Sequence, residues 1–307
     1  MLKKKRVPAL GIAACLFSLA LVGLAVAQGG VRVSGGYTAG AFSDAYVMDA
    51  TKAAKNAFSR FLENAAPRAK FDAVPFESTE EMIRALKERR IDMVGGPPNQ
   101  IIEIAKAVPI EPALVSEGLS NFFHDAVLLV PRDSGIETLK DLEGKTLMVL
   151  EGADGGHVRL WLDTWVLRES GRTTEAYFGM IKRGRNGSQT TLGCFFHQAD
   201  ACLVPRGTFD LAVAANRQVG EKLKSIGASQ NLPGAILAFR AGLSPADKAQ
   251  ILEIVLHVQD DVFGQRVLKL FHQKRFVRFK PQHLAAAEAL VREHADLMKA
   301  VQSTKRP

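Results

Sequence analysis

The sequence of 307 residues lacks the motifs on which most enzyme and metal sites are built. It contains three cysteines, and their spacing does not resemble a zinc site. It has no G-x-S-x-G, H-E-x-x-H or Walker phosphate-binding motif, and its seven histidines are scattered. No pair of carboxylates is placed as a general acid and base would be. These absences argue against an enzyme, and we expect neither a cofactor nor a bound metal.

The sequence also lacks low-complexity linkers and short repeats, and it holds only two tryptophans and three tyrosines. Hydrophobic residues make up 47% of the chain and charged residues 23%, proportions typical of globular rather than disordered proteins. The length allows one large domain or two lobes, each with a core of its own.

The first 27 residues have the pattern of an export signal. A basic run at 3–6 precedes an apolar stretch at 9–24, and Ala25-Val26-Ala27 follows as a small-x-small cleavage pattern. We therefore predict a signal peptide over 1–27, with Gln28 as the first mature residue, and a periplasmic location. The apolar stretch is short for a membrane span, and retention of the segment as an anchor is the alternative.

The positive charge of the chain belongs in large part to this leader. The formal net charge of +8 falls to about +4 without it, because its four basic residues have no acids beside them. A mild positive balance is compatible with an anionic ligand but does not select one. We expect no nucleic-acid partner, since the basic run 274–280 alternates with apolar residues, as a strand-like connector does.

Two cysteines, Cys194 and Cys202, remain after removal of the leader. An exported protein meets an oxidising compartment, in which this pair can form a disulfide. Two buried free thiols are the alternative, because the geometry that decides between them is not readable from spacing.

Short apolar runs alternate with helical patterns along the chain. The first strand is predicted at 31–33, with a loop of small residues at 34–40, and a helix is predicted at 45–62. Strands at 71–76 and 91–94 enclose a helix that starts at Ser78 with a capping pattern. Further along, strand-like runs include 175–181. This alternation predicts an α/β protein with mostly parallel sheets.

The middle of the chain, 125–156, is its most informative part. It holds two apolar strands, 126–130 and 146–150, joined by a polar turn and a short helical signal. A loop with Gly152, Gly155 and Gly156 follows the second strand and precedes a helix. A strand that ends in such a loop before a helix is a common anion-binding arrangement.

Four sequence elements resemble one known family. The most specific is Asp141-Leu142-Glu143-Gly144-Lys145, which follows the strand and turn at 128–136. The others are 82–86 with 91–93, Gln198-Ala199-Asp200-Ala201, and Leu232-Pro233-Gly234. The sequence is similar, from about 31 to 256, to type II periplasmic solute-binding proteins. More narrowly, it resembles the phosphate, phosphite and phosphonate group of ABC-transporter binding components.

The resemblance implies two α/β lobes joined by two crossing strands, with ligand in the cleft and closure by hinge motion. Lobe one would comprise 28–124 and 232–307, and lobe two 125–231, with 1–27 removed as signal peptide. The partners implied are a small anionic solute and an ABC permease of the inner membrane, with the protein a monomer. A sensor kinase as the membrane partner is the alternative, and an enzyme on the same fold is a third hypothesis.

Candidate ligand-binding residues lie where strands end. In lobe one they are Ser34, Tyr37 and Thr38 after the first strand, and Gly96 and Asn99 after the third. In lobe two they are Gly152, Asp154, Gly155, Gly156 and His157 in the glycine-rich loop, together with Ser188 and Arg206.

The lobe-two candidates differ from the family pattern that the resemblance implies. The family's anion loop is rich in Ser and Thr, whereas glycines and two acids stand here, so backbone N–H groups are the expected ligands. An acidic residue of the family corresponds to Arg206, which can hold a carboxylate or phosphate in a bidentate contact. Purely structural roles stay open as well, since Asp154 and Ser188 can each cap a helix and Arg206 can face solvent.

Overall fold

The computed structural model describes residues 32–38, 60–61, 70–118, 125–150, 156–229, 232–270 and 273–304. The strands are β1 (Arg32–Thr38), β2 (Lys70–Phe76), β3 (Met93–Gly96), β4 (Ile110–Gly118), β5 (Ala126–Pro131), β6 (Thr146–Leu150), β7 (Met180–Gly184), β8 (Ala201–Pro205), β9 (Leu223–Ala228), β10 (Ile236–Arg240) and β11 (Gln273–Arg278). The helices are α1 (Thr79–Lys87), α2 (Pro98–Ala107), α3 (His157–Ser170), α4 (Thr174–Tyr177), α5 (Gly187–Phe195), α6 (Arg206–Ala215), α7 (Arg217–Lys222), α8 (Pro245–Leu256), α9 (Val262–Leu270) and α10 (Ala285–Thr304).

The first sheet, which defines lobe one, has the strand order β11-β4-β10-β3-β1-β2. β1 runs parallel to β2 and β3, while β10 lies antiparallel between β3 and β4. Its two faces carry separate cores. Met82, Ile101 and Val115 belong to one core, and Leu114 and Phe239 to the other. Neighbouring β4 residues therefore point to opposite faces, as the pleat requires.

The second sheet, which defines lobe two, has the order β7-β6-β8-β5-β9. β6 is parallel to β7 and β8, and β5 is antiparallel to β8 and β9. All six residues of β5 are buried, because side chains cover both faces of this inner strand. Leu128 packs into the core on one face and Leu129 into the core on the other. The apolar run predicted at 126–130 is thus a fully buried strand.

The Asp141-Leu142-Glu143-Gly144-Lys145 element forms a capped turn that anchors β6. The Asp141 carboxylate accepts hydrogen bonds from the Thr138 backbone N–H and hydroxyl, both at 2.9 Å. Backbone N–H groups of Glu137 and Thr138 lower the pKa of Asp141 by favouring its charged form. Leu142 is buried in the core below, and Gly144 has φ of 72°, which favours glycine.

The chain passes between the two sheets twice. Residues 119–125 lead from β4 to β5, and residues 229–235 lead from β9 back to β10. This is the two-lobed α/β architecture predicted from the resemblance.

The C-terminal helix α10 adds a further link between the lobes. Ala287 and Val291 pack in a lobe-one core, against the sheet face that α2 covers. On the other side of α10, Glu293 forms an ion pair of 2.7 Å with Arg168 of α3. In the described part of the chain, no helix is both long and apolar enough to cross a membrane, and the predicted leader lies outside that part.

Two predicted segments differ from the structure. The first strand does not stop at residue 33 but continues to Thr38, because Gly35 and Gly36 let the Phe71 and Ile91 side chains approach closely. The strand expected at 175–181 begins instead as α4, and β7 starts only at Met180. Tyr177 explains this, since its buried hydroxyl donates to the Leu139 carbonyl at 2.7 Å.

The basic segment 274–280 overlaps β11, which pairs with β4 as the edge strand of lobe one. Helix α6 is not among the predicted elements. Of the helix predicted at 45–62, only Arg60 and Phe61 are described, and both are helical.

Candidate functional site

The carboxyl ends of the parallel strands meet at one edge of the sheet in each lobe. In lobe one, the edge follows β1, β2, β3 and β4; in lobe two, it follows β6, β7 and β8. Both crossings, 119–125 and 229–235, start at one of these edges and end at the other. A stretch of this length spans at most about 25 Å, so the two edges lie within that distance of each other where the crossings join them, and they are called the cleft edges here.

Three helices begin at these edges without a side-chain cap. The residues that precede α2, α3 and α6 are Pro97, Gly156 and Pro205, and none of them carries a side-chain acceptor. No Asp or Glu lies in the first turn of any of the three helices. The positive ends of these helix dipoles are therefore not neutralised by their own side chains.

Four helices of the protein begin differently. Ser78, Asn186, Asn216 and Ser244 cap α1, α5, α7 and α8 with side-chain acceptors. Of these, α1 and α5 also begin at the cleft edges, and α1 adds Glu80 and Glu81 in its first turn. Helix α4 has no side-chain cap either, but Glu175 lies in its first turn, whereas α2, α3 and α6 lack both a side-chain cap and an acid there.

Arg206 is the first residue of α6 and lies directly at the lobe-two edge. Its side chain is partly buried, and its backbone N–H donates to the Asp125 carbonyl at 2.6 Å. Its guanidinium interacts electrostatically with the Asp125 carboxylate. A cation is thereby placed beside an uncapped helix N-terminus, an arrangement suited to a phosphoryl or carboxylate group.

The lobe-one candidates come together with one exception. Tyr37 and Thr38 end β1, and Gly96 ends β3, which lies beside β1 in parallel register. Asn99 is partly buried in the first turn of α2, three residues after Gly96. A Cβ at Gly96 would lie 2.2 Å from Gln100 Oε1, so a larger residue there would displace the Gln100 side chain.

The exception is Ser34, which the sequence predicts in a loop after the first strand. It lies inside β1, toward the amino end, because that strand is longer than predicted. Its hydroxyl is 3.0 Å from Asp92 Oδ2, and Asp92 Oδ1 is paired with Arg240 at 3.0 Å. Ser34 therefore stabilises the opposite edge of lobe one and is not part of the candidate site.

The lobe-two candidates are only partly covered by the structure. Gly156 precedes α3 and His157 is its first residue, both partly buried. Gly152, Asp154 and Gly155 lie outside the described residues. Ser188 is exposed in the first turn of α5 and does not cap that helix.

The cap of α5 is Asn186, whose side-chain carbonyl oxygen accepts from the Gln189 N–H at 2.8 Å. Asn186 has the extended backbone of a capping residue, whereas Gly187 already starts the helix. The sequence did not lead us to predict Asn186 as the cap of α5 or the absence of caps at α2, α3 and α6. That absence can be recognised from a Pro or Gly directly before a helix whose first turn contains no Asp or Glu.

Both cysteines lie in the lobe-two core with free thiols and no exposed surface. Burial, together with the neighbouring Cys202, raises the pKa of Cys194 well above its ordinary value. The disulfide between them stays a prediction. No group of three or more His, Cys, Asp or Glu side chains suited to a metal occurs among the described residues.

Solved structures of similar architecture define the class of this fold. A Xanthomonas citri protein bound to chloride ion aligns at TM-score 0.67 and 15% identity, over 88% of this chain and 99% of that one. PhnD1 from Prochlorococcus marinus, in complex with methylphosphonate, aligns at TM-score 0.64 and 12% identity, over 85% and 97%. The binding protein component of an ABC phosphonate transporter from Pseudomonas aeruginosa aligns at TM-score 0.61 and 14% identity, over 90% and 100%. The chain has the type II periplasmic binding protein fold.

The sequence itself identifies the family within this class. Residues 42–284 match the family described as ABC transporter, phosphonate, periplasmic substrate-binding protein. The protein belongs to this family, as the resemblance of the Asp141–Lys145 segment predicted. No individual curated protein matches the sequence.

Proposed function

We propose that this substrate-binding protein holds a small tetrahedral oxyanion, such as a phosphonate or phosphate, in the interlobe cleft and delivers it to an ABC permease. The observation that carries this proposal is the convergence of three uncapped helix N-termini and Arg206 on the cleft edges. Capturing an anion requires donors and positive potential, and both are concentrated there.

We infer the ligand contacts from the positions of the predicted residues. In lobe two, the backbone N–H groups of the loop with Gly152, Gly155 and Gly156 and of His157 would donate to the oxyanion. Arg206 would add a bidentate contact, and each hydrogen bond to the charged group contributes about 1.5–3 kcal/mol. Asp154 and Ser188, the latter exposed in the first turn of α5, would set which anion is accepted.

In lobe one, Tyr37, Thr38, Gly96 and Asn99 would contact the substituent of the anion from the other side of the cleft. A ligand that touches both edges binds the closed arrangement more tightly than the open one, and so shifts the protein toward closure. The two crossings are the hinge, and the permease would recognise the closed form. Presentation of ligand to a membrane sensor would use the same cleft, and a neighbouring permease or sensor-kinase gene separates these two roles.

The experiment is calorimetric titration of the mature chain, starting at Gln28, against four chemical classes. These are methylphosphonate, inorganic phosphate, methanesulfonate and acetate. We expect saturable binding of a phosphonate or phosphate with a dissociation constant of about 1 μM or lower, equivalent to about −8 kcal/mol. Binding of acetate alone, or of none of the four, would contradict the oxyanion proposal.

A further inference from the structure

One carboxylate joins the two interlobe crossings. Asp125 ends the first crossing, immediately before β5, and its Oδ1 accepts hydrogen bonds from Ser229 and Leu232 of the second crossing. Both donor–acceptor distances are 3.3 Å, one from the Ser229 hydroxyl and one from the Leu232 backbone N–H. Each contact joins residues that are more than 100 positions apart in sequence, so it forms only when both crossings are in place.

A second layer of hydrogen bonds surrounds this contact. The buried Ser229 hydroxyl accepts from the Ala126 N–H at 2.7 Å, and the Ser229 N–H donates to the Ala126 carbonyl at 3.0 Å. The Asp125 carbonyl accepts from the Arg206 N–H at 2.6 Å. Ser229 and Arg206 are therefore both fixed to the first crossing at the point where the lobes join.

We propose that Asp125 is a positioning residue of the hinge. The hydrogen bonds that Asp125 Oδ1 accepts from Ser229 and Leu232, together called the clasp, hold the two crossings together and set the relative orientation of the lobes before ligand binds. This inference deepens the proposed function but has its own readout, because the clasp acts in the ligand-free protein. Its effect on the ligand is indirect, through the position of Arg206 and of the two cleft edges.

Whereas the hydrogen bonds of Asp125 hold the crossings together, its negative charge lowers the stability of the folded protein. Burial raises the pKa of Asp125, and hydrogen bonds from Leu232 and Ser229 and the charge of Arg206 offset this only in part. Among the described residues, Arg206 is the charged group that faces this carboxylate. Since the folded pKa is raised, ionisation costs stability above it, and that cost disappears as the pH falls through it.

The test compares Asp125→Ala, Asp125→Asn and the control Asp133→Ala. The amide of Asn keeps an acceptor oxygen for Ser229 and Leu232, whereas Ala removes it. Asp133 is an exposed acid just past the other end of β5, away from the hinge. Spin labels at Lys87→Cys in lobe one and Lys140→Cys in lobe two report interlobe distances, since both positions are exposed and both native cysteines are buried.

We expect Asp125→Ala to broaden the interlobe distance distribution of the ligand-free protein, while Asp125→Asn and Asp133→Ala leave it as in the wild type. The dissociation constant for methylphosphonate should rise about tenfold in Asp125→Ala only, the size of one hydrogen bond. Asp125→Asn should be at least as stable as the wild type at neutral pH, with the difference closing as pH falls.

An unchanged distance distribution in folded Asp125→Ala would overturn the clasp, whatever the ligand results. Broadening in Asp125→Asn as large as in Asp125→Ala would overturn it as well, because the acceptor oxygen would then be irrelevant. If distances behave as expected and no anion binds any variant, the clasp stands and the proposed oxyanion ligand fails.

Discussion

The Arg206→Glu variant is expected to bind its oxyanion at least about 100-fold more weakly than the wild type, a loss of about 2.7 kcal/mol. The substitution removes the cation at the start of α6 and puts a carboxylate in its place, beside Asp125. The lost hydrogen bonds to the anion and the new repulsion act in the same direction. Calorimetric titration with methylphosphonate and inorganic phosphate measures the change.

The matched control is Arg217→Glu. Arg217 is also the first residue of a helix, α7, and the charge change is the same, but its side chain is 91% exposed and the helix starts away from the cleft edge. We expect its affinity to stay within about twofold of the wild type, since exposed charges beyond a Debye length are largely screened. Unchanged affinity in a folded Arg206→Glu protein would remove Arg206 from the site.

The largest effect on stability is expected for Arg159→Ala. Arg159 is 4% exposed in α3, forms a 2.6 Å ion pair with Asp163, and pairs with Glu175 of α4. Burial alone would lower the pKa of Arg159, but these two carboxylates outweigh it and raise the pKa. Loss of the guanidinium leaves the partly buried Asp163 without its cation, at a cost of about 1–3 kcal/mol in free energy of unfolding.

Arg168→Ala on the same helix is the control for this second prediction. Arg168 is also ion-paired, with Glu293, but both side chains are about half exposed. Exposed pairs contribute about 0–1 kcal/mol, so urea denaturation should separate the two variants clearly. Equal midpoint shifts would mean that the buried network does not stabilise α3.

Because α3 begins at the cleft edge, Arg159→Ala should also weaken oxyanion binding.

Local patterns were enough to predict the α/β class, and the resemblance of a few short segments implied the family. The apolar run of β5 and the short helical signal before Gly144 are encoded within a few consecutive residues, and the structure confirms both. The assignment of Ser34 to a loop was wrong because the glycines after it looked like a turn, whereas they allow close packing in a strand. Such packing depends on partners far away in the chain, here Phe71 and Ile91.

The site was predictable to a smaller extent. Tyr37 and Thr38, which were also predicted in the loop, form the end of β1, beside Gly96 at the end of β3, since parallel strands end together. Their role in ligand binding stays a prediction, as does that of Asn99. Asp125 was not foreseen, because its partners lie on the returning crossing and nothing near it in sequence signals them. Ser188 and Asn186 both have capping side chains, and the backbone path after β7 decides between them.

The most direct test of the oxyanion site is a crystal structure of the mature protein with methylphosphonate. We predict the phosphonate oxygens within hydrogen-bond distance of the Arg206 guanidinium and of backbone N–H groups at the start of α3, between two closed lobes. A phosphonate bound outside the cleft, or inside it without contact to Arg206 or to the start of α3, would contradict this account.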